Sequence, residues 1–240
     1  MFYDLNIKGK NFNEDLHLAK EASLLGWNSV AFNYNDDNLD NAFEYFDTLQ
    51  EESLNFNNPL NVDFRYEITT NNSNHLRKLS RKYRDKINLI SVLGGHLKVN
   101  RTSCETIHID ILSRPYFKRK DCGINHVLAK EAANNDVAIE LCFKDILTTY
   151  LSYRSKILAN FKEIISLHRK FDFPLILTSG STFIYDIKNP VDLSYFFKEI
   201  GLKEEEIEEG FKNSPKNLIN FNKNRENLIL KGVKKIDRFD

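Results

Sequence analysis

Short apolar runs alternate with amphipathic segments along the whole chain. The runs predict β-strands over residues 2–7, 28–33, 62–70, 87–93, 107–112, 137–141 and 174–178. Apolar positions spaced three and four apart predict helices over 11–25, 40–54, 73–84, 123–134, 152–171 and 192–200. A helical tail over 204–222, broken by Gly210 and Pro215, follows. This regular alternation is typical of a parallel sheet with helices packed on it.

Seven clear parallel strands with surrounding helices predict an α/β fold, a single TIM-like barrel over residues 1–240 with a less regular helical tail over 204–240. The length is close to the ~250 residues that such a barrel typically needs. An open doubly wound sheet is the competing architecture. The chain has neither G-x-G-x-x-G nor G-x-x-x-x-G-K-[ST], so the motifs of a nucleotide-binding sheet are missing.

The net charge of zero conceals a strong asymmetry along the chain. Residues 1–63 carry three basic and twelve acidic side chains, whereas 75–86 carry six basic and one acidic, and 98–130 seven basic and three acidic. A neutral protein with this distribution can still present a basic face to a polyanion. The alternative is that each run is ordinary solvated surface.

Three cysteines, Cys104, Cys122 and Cys142, form neither a C-x-x-C motif nor an even set. We expect small buried side chains in a cytoplasmic protein rather than a disulfide framework or a zinc site. No segment approaches the length of uninterrupted apolar residues that a membrane span needs, so no membrane partner is expected.

Catalytic chemistry in a parallel barrel is expected at the carboxyl ends of the strands. A hydrolytic metal centre there needs several converging His, Asp or Glu ligands. The first strand carries Asp4-Leu5-Asn6 instead of the His-x-His expected of barrels related to histidinol phosphatase. His108 and Asp110 share one face of the predicted fifth strand without a third ligand. We therefore assign no catalytic and no metal-binding residue, and a metal-dependent phosphoesterase remains the alternative function.

Two predicted helices place basic side chains opposite their apolar faces. In the helix over 73–84, Leu76, Leu79 and Tyr83 face inward, and the outward residues are Arg77, Lys78, Arg81 and Arg84. In the helix over 123–134, which Asp121 is predicted to cap, the inward residues are Ile124, Val127, Leu128 and Ala132. His126 and Lys130 then point outward, beside the basic residues 118–120. Such ladders neutralise phosphates and position a protein on nucleic acid.

Four sequence blocks in order resemble the ribonuclease P protein component 3 family of archaea and eukaryotes. They are D-I-L-S-R-P at 110–115, G-I-N-H-V-L-A-K at 123–130, V-A-I-E at 137–140, and L-T-S-G at 177–180 followed by D-I-K-N-P-V-D-L at 186–193. With Asn100-Arg101 and the opening Tyr3-Asp4-Leu5, the resemblance covers essentially the whole chain.

The resemblance implies an α/β barrel that binds the catalytic RNA of ribonuclease P, which removes the 5′ leader of precursor tRNA. It implies no cofactor on the protein, since the magnesium ions are held by the RNA. The implied partners are that RNA, component 2, other ribonuclease P proteins and, through the complex, precursor tRNA. The RNA contacts implied by position are Arg101, Arg119, Lys120, His126, Lys130, Arg154 and Lys188, added to the basic helix residues. A scaffold whose acidic residues 36–52 bind a basic protein is a further possibility.

Overall fold

Seven parallel strands form one sheet in the order of the chain. The computed structural model describes residues 1–225, 228–230 and 233–234. The strands of the sheet, paired in the order β1 to β7, are β1 (Tyr3–Lys8), β2 (Ser29–Tyr34), β3 (Asn61–Ile68), β4 (Leu89–Leu93), β5 (Ile111–Ser113), β6 (Ala138–Cys142) and β7 (Leu175–Thr178). A separate antiparallel pair is formed by β8 (Leu228–Leu230) and β9 (Val233–Lys234).

The sheet curls until its two edge strands meet. The Lys8 backbone N–H donates to the Ser181 carbonyl at 2.8 Å, and the Ser179 N–H donates to Asp4 Oδ1 at 3.2 Å. Side chains from opposite sides of the barrel, including Leu5 of β1 and Leu89 of β4, share one interior apolar cluster. The fold is therefore a nearly closed barrel, as predicted, and the open doubly wound sheet is excluded.

Helices surround the sheet and bury the larger apolar cluster against its outer face. They are α1 (Phe12–Leu24), α2 (Leu39–Leu54), α3 (Ser73–Tyr83), α4 (Leu97–Cys104), α5 (His126–Asn134), α6 (Lys144–Leu147), α7 (Leu151–Phe171), α8 (Pro190–Glu199), α9 (Glu204–Glu208) and α10 (Ser214–Lys223). The sequence pattern did not predict α4 because most of its buried side chains are polar. The predicted fifth strand begins four residues too early, at residue 107 instead of Ile111. Residues 107 and 108 form a turn that follows α4.

The segment after α8 closes the amino-terminal end of the barrel. Ile219 of α10 joins the interior apolar cluster, and Lys223 forms a 2.8 Å ion pair with the buried Asp63. Gly210 lies in a π-helical turn over Glu209–Asn213, where a Cβ atom would stand 2.7 Å from the Leu177 side chain. Pro215 occupies the first turn of α10, where proline is tolerated. Residues 226, 227, 231, 232 and 235–240 of the predicted tail lie outside the described residues.

Cys104, Cys122 and Cys142 are buried and unpaired, as predicted. Burial raises the pKa of each thiol, which opposes formation of the nucleophilic thiolate. Within the described ranges, no helix has both the length and the apolar character to cross a membrane.

Candidate nucleic-acid interface

Polar residues from several strands come together at the carboxyl ends, and the glutamates among them are paired with cations. The Arg65 guanidinium donates to Glu140 Oε2 at 2.7 Å, to Ser91 Oγ at 2.8 Å and to the Leu5 carbonyl at 2.7 Å. Glu140 Oε1 also accepts hydrogen bonds from Asn6 at 2.7 Å and Thr178 at 2.6 Å. Fully buried Arg65 thus fills the centre of the barrel.

A second carboxylate nearer the mouth is paired in the same way. Glu67 accepts from Lys8 Nζ at 2.7 Å, and the Arg114 guanidinium lies 3.8 Å from the same oxygen. Burial alone would raise the pKa of Glu67, but Lys8, Arg114 and Arg65 hold it far below its usual range. Each cation is therefore matched by a carboxylate.

A metal centre of the phosphoesterase type does not fit this mouth. A guanidinium occupies the space where carboxylates from neighbouring strands converge, and it would repel a divalent cation. Among the described residues, no group of three His, Cys, Asp or Glu side chains is arranged to hold a metal ion. His108 and Asp110 were predicted to share a strand face, and this is wrong. His108 lies in the turn after α4, and Asp110 immediately precedes β5, at the amino-terminal end of the barrel.

Arg84 is buried, so the prediction that it faces outward is wrong. Helix α3 ends at Tyr83, and the Arg84 side chain folds back towards the start of β4. It forms a 2.6 Å ion pair with Asp110 and donates to the Ile87 and Asn88 carbonyls at 2.8 and 2.6 Å. These partners satisfy a buried charge that would otherwise be very costly. Arg84 is therefore a structural residue.

The remaining basic residues of α3, α4 and α5 lie on consecutive helices of the outer barrel wall. We use the name basic face for eight exposed or half-exposed side chains of these helices and of the loop between β5 and α5: Arg77, Lys78, Arg81, Arg101, Lys118, Lys120, His126 and Lys130. Arg101 pairs with Glu105 on its own helix at 2.7 Å. Across the part of the chain that the structure describes, the other Lys and Arg members have no carboxylate within ion-pair distance. The basic face therefore carries uncompensated positive charge.

Helix α5 begins at His126, three residues later than predicted. Asn125, not Asp121, is the N-cap, and its side chain accepts from the Val127 and Leu128 N–H groups, both at 3.0 Å. Val127 is 47% exposed, so its predicted inward position is wrong. His126 and Lys130, one turn apart, lie exposed as predicted.

A buried asparagine organises the loop between β5 and α5. Asn100 Nδ2 donates to the Pro115 carbonyl at 3.0 Å and the Gly123 carbonyl at 2.7 Å, while its Oδ1 accepts from the Gly95 N–H at 3.0 Å. Lys118 within this loop has a φ of 55°, a left-handed conformation uncommon for lysine. The only sequence signal for Asn100 was its place in the family resemblance, which carried no role.

Arg119 also braces this loop, and its charge is already engaged. Its guanidinium makes two hydrogen bonds to the Asp121 carboxylate, at 2.5 and 2.7 Å, and one to the Gly95 carbonyl at 3.0 Å. The hydrogen bonds from Arg119 hold the pKa of Asp121 below its usual value. The guanidinium of Arg119 is therefore already paired. Its role is to hold the loop that carries Lys118 and Lys120.

The structure separates the last two predicted contact residues from the centre of the basic face. Arg154, in the first turn of α7, donates to the Thr149 carbonyl at 2.9 Å. Lys188, just before α8, donates to the Tyr185 carbonyl at 2.9 Å. Its own carbonyl accepts from Trp27 Nε1 at 3.0 Å, which places Lys188 beside the loop between α1 and β2.

Comparison with known proteins identifies the family. The model of the family described as RNase P subunit p30 matches residues 1–227. This chain belongs to the RNase P subunit p30 family. Ribonuclease P protein component 3 of Methanothermobacter thermautotrophicus is 38% identical over 237 residues, covering 97% of this chain and 94% of the relative. The Methanocaldococcus jannaschii protein of the same name is 38% identical over 188 residues, 78% of each chain.

Solved structures agree with this family assignment. A chain in the cryo-EM structure of archaeal ribonuclease P with mature tRNA superposes with a TM-score of 0.82 and 32% identity, over 99% of both chains. A putative histidinol phosphatase from Listeria monocytogenes matches 77% of this chain and 97% of its own with a TM-score of 0.52 and 9% identity. That second likeness shows a shared barrel fold alone. It gives no support to a phosphoesterase function.

Proposed function

We propose that this chain is an RNA-binding protein subunit of ribonuclease P that assists the catalytic RNA in removing the 5′ leader of precursor tRNA. Membership of the RNase P subunit p30 family supports the proposal, as does the likeness to a chain of archaeal ribonuclease P solved with mature tRNA. The observation that carries it is the basic face, whose lysines and arginines are largely without carboxylate partners.

Exposed cations on consecutive helices suit a phosphate backbone. Lys78, Arg81, Lys120 and Lys130 are free to contact phosphates, and each such contact releases condensed counterions. Arg77, Arg101 and His126 extend this surface. Arg119 acts by holding the loop between β5 and α5, and Arg154 and Lys188 contribute at the edges.

The chemistry of cleavage is assigned to the RNA and its magnesium ions, not to this chain. The ion-paired mouth of the barrel supports this assignment, because neither Glu67 nor Glu140 is free to bind a metal or to move a proton. The proposed protein partners are component 2 and the other ribonuclease P proteins, and precursor tRNA is reached through the complex. Three unpaired cysteines favour the reducing cytoplasm as the location.

Reconstitution tests this function. Cleavage of precursor tRNA by the catalytic RNA is measured with and without the full chain and component 2, at limiting magnesium. We expect stimulation by the wild type, reduced stimulation by a Lys78→Ala, Lys130→Ala double variant, and unchanged stimulation by Lys20→Ala on helix α1. A wild-type chain that neither binds the RNA nor changes cleavage would overturn the proposal.

A further inference from the structure

Large apolar side chains are exposed in two segments at the carboxyl-terminal mouth of the barrel. Tyr150, Leu151 and Tyr153 follow β6 and are 72%, 89% and 70% exposed, and Phe183 and Tyr185 follow β7 and are 58% and 84% exposed. We call these five residues the aromatic rim. Lys144 connects the two segments, because its Nζ donates to Asp186 at 2.8 Å and lies 5.8 Å from the centre of the Phe183 ring. Exposed large apolar side chains gathered at one end of a fold mark an interaction site.

Cations accompany the rings of the aromatic rim. The Arg154 guanidinium lies 5.7 Å from the Tyr150 ring centre, and Lys156 Nζ lies 5.4 Å from that of Tyr153. Lys10 Nζ lies 4.1 Å from the Phe183 ring centre. The neighbouring carboxylates are engaged, since Asp186 pairs with Lys144 and Asp145 accepts from the Tyr116 hydroxyl at 2.8 Å. The aromatic rim therefore combines exposed rings with nearby cationic side chains.

We propose that the aromatic rim binds an unpaired segment of RNA, with bases stacked on Tyr150, Tyr153 and Tyr185 and phosphates held by Arg154 and Lys156. Aromatic side chains interleaved with cations are the composition that single-stranded nucleic acids require, because every base offers a stacking face and every linkage a negative charge. The ring-to-cation distances favour a nucleotide over an apolar protein segment, which would leave those cations without anionic partners.

An ion pair at the barrel mouth connects the segment after β6 with the loop between β5 and α5. Asp145 in α6, three residues after β6, lies 3.5 Å from the Arg114 guanidinium, and Arg114 begins the loop that carries Lys118 and Lys120. This inference rests on the proposed RNA-binding function. It adds that the aromatic rim selects unpaired RNA.

The test compares two RNA probes of matched sequence, a short unpaired strand containing 2-aminopurine and the corresponding blunt duplex. The full-length variants are Tyr150→Leu with Tyr153→Leu, the conservative Tyr150→Phe with Tyr153→Phe, and the control Tyr195→Leu, an exposed tyrosine of helix α8. Stacking is worth about 1–3 kcal/mol per base, or roughly 5- to 150-fold in affinity. We expect the Tyr150→Leu, Tyr153→Leu double variant to bind the unpaired strand at least roughly 5-fold more weakly than the wild type. Quenching of 2-aminopurine fluorescence should be smaller, and duplex binding should not change.

The phenylalanine pair and Tyr195→Leu should bind both probes like the wild type. Equal affinity of wild type and the leucine pair for the unpaired strand would overturn the inference. So would a leucine pair that binds RNA normally but no longer associates with component 2, because the rim would then be a protein interface. If the wild type bound the duplex but not the unpaired strand, the proposed role of the aromatic rim would be refuted and the RNA-binding function would stand. Binding to neither probe refutes the proposed function itself.

Discussion

Arg65 and Glu140, 75 residues apart in sequence, form a doubly hydrogen-bonded ion pair inside the barrel, with N···O distances of 2.7 and 3.3 Å. Both side chains are fully buried. The pair ties β3 to β6 across the interior, and Asn6 and Thr178 complete the hydrogen bonds of the carboxylate. This arrangement occupies the place where related barrels could hold catalytic groups.

The ion pair predicts a specific acid sensitivity. Burial alone would raise the pKa of Glu140, but Arg65 and the hydrogen bond from Thr178 lower it to about 2. A depressed carboxyl pKa stabilises the fold above the unfolded value of 4.5, and this contribution is lost as the pH falls from there towards 2. Glu140→Gln should cost about 3–5 kcal/mol at neutral pH because it leaves a buried guanidinium without its counter-charge.

Urea unfolding across a pH series measures both effects, with the exposed Glu204→Gln as the control. The variant should also lose less stability than the wild type on acidification. Identical slopes for variant and wild type between pH 4.5 and 2 would show that the pair does not carry this linkage.

Arg81 and Arg84 offer a matched pair of substitutions three residues apart. Arg84→Ala should lower stability by roughly 3–5 kcal/mol, since it leaves the carboxylate of Asp110 buried without that partner. Arg81→Ala should leave stability within about 0.5 kcal/mol and weaken RNA binding instead. Thermal melts and RNA titrations on both variants check this. A stable Arg84→Ala protein with reduced RNA affinity would contradict the burial of Arg84.

His126 and Lys130 are neighbours on one exposed face of α5 but should act differently on RNA. Lys130→Ala should weaken binding and reduce the slope of log affinity against log salt by roughly one unit, as expected for one lost phosphate contact. The planar imidazole ring of His126 is suited to stacking on a base or to a single hydrogen bond. His126→Ala should therefore weaken binding and leave the slope nearly unchanged.

A salt series on wild type and the two α5 variants separates these effects, with melting temperatures as the folding control. If His126→Ala lowered the melting temperature strongly and left RNA affinity intact, His126 would be a packing residue. Equal changes in slope for both variants would assign a phosphate contact to the imidazole as well.

Asn100 should affect RNA binding although it is buried. Asn100→Ala removes the hydrogen bonds to the Pro115 and Gly123 carbonyls and leaves buried backbone groups unpaired, at a cost of about 1–3 kcal/mol each. Amide hydrogen exchange should increase in residues 115–123, and RNA affinity should fall because Lys118 and Lys120 are no longer held in place. Unchanged exchange in that loop would refute this role. Ser103→Ala, a buried substitution on the same helix, is the control.

The isolated chain should not cleave precursor tRNA. The glutamates of its barrel mouth, Glu67 and Glu140, are held in ion pairs, whereas hydrolysis would need a metal-activated water or a free general base. Incubation of RNA-free protein with precursor tRNA and magnesium should give no 5′ processing above the background of a Glu140→Gln preparation. Magnesium-dependent cleavage that disappears in the Glu140→Gln protein would assign the chemistry to this chain.

The sequence alone determined the architecture and the family. Apolar periodicity depends on near neighbours, so it located six of the seven barrel strands to within two residues. The family resemblance depends on the order of short motifs, and charge clustering located the basic segments that form the basic face. The extent of the single domain over 1–240 and the RNA contacts stay predictions.

Only the tertiary structure decided which polar residues are buried. Arg84 and Asn100 could not be distinguished from surface residues by pattern, because their partners come from other turns and strands of the fold. Arg65 reaches Glu140 only after the sheet closes, and the aromatic rim exists only because the segments that follow β6 and β7 end at the same mouth of the barrel. A buried charge is tolerated when distant groups compensate it. Those groups are brought together by chain closure, which no local window of sequence contains.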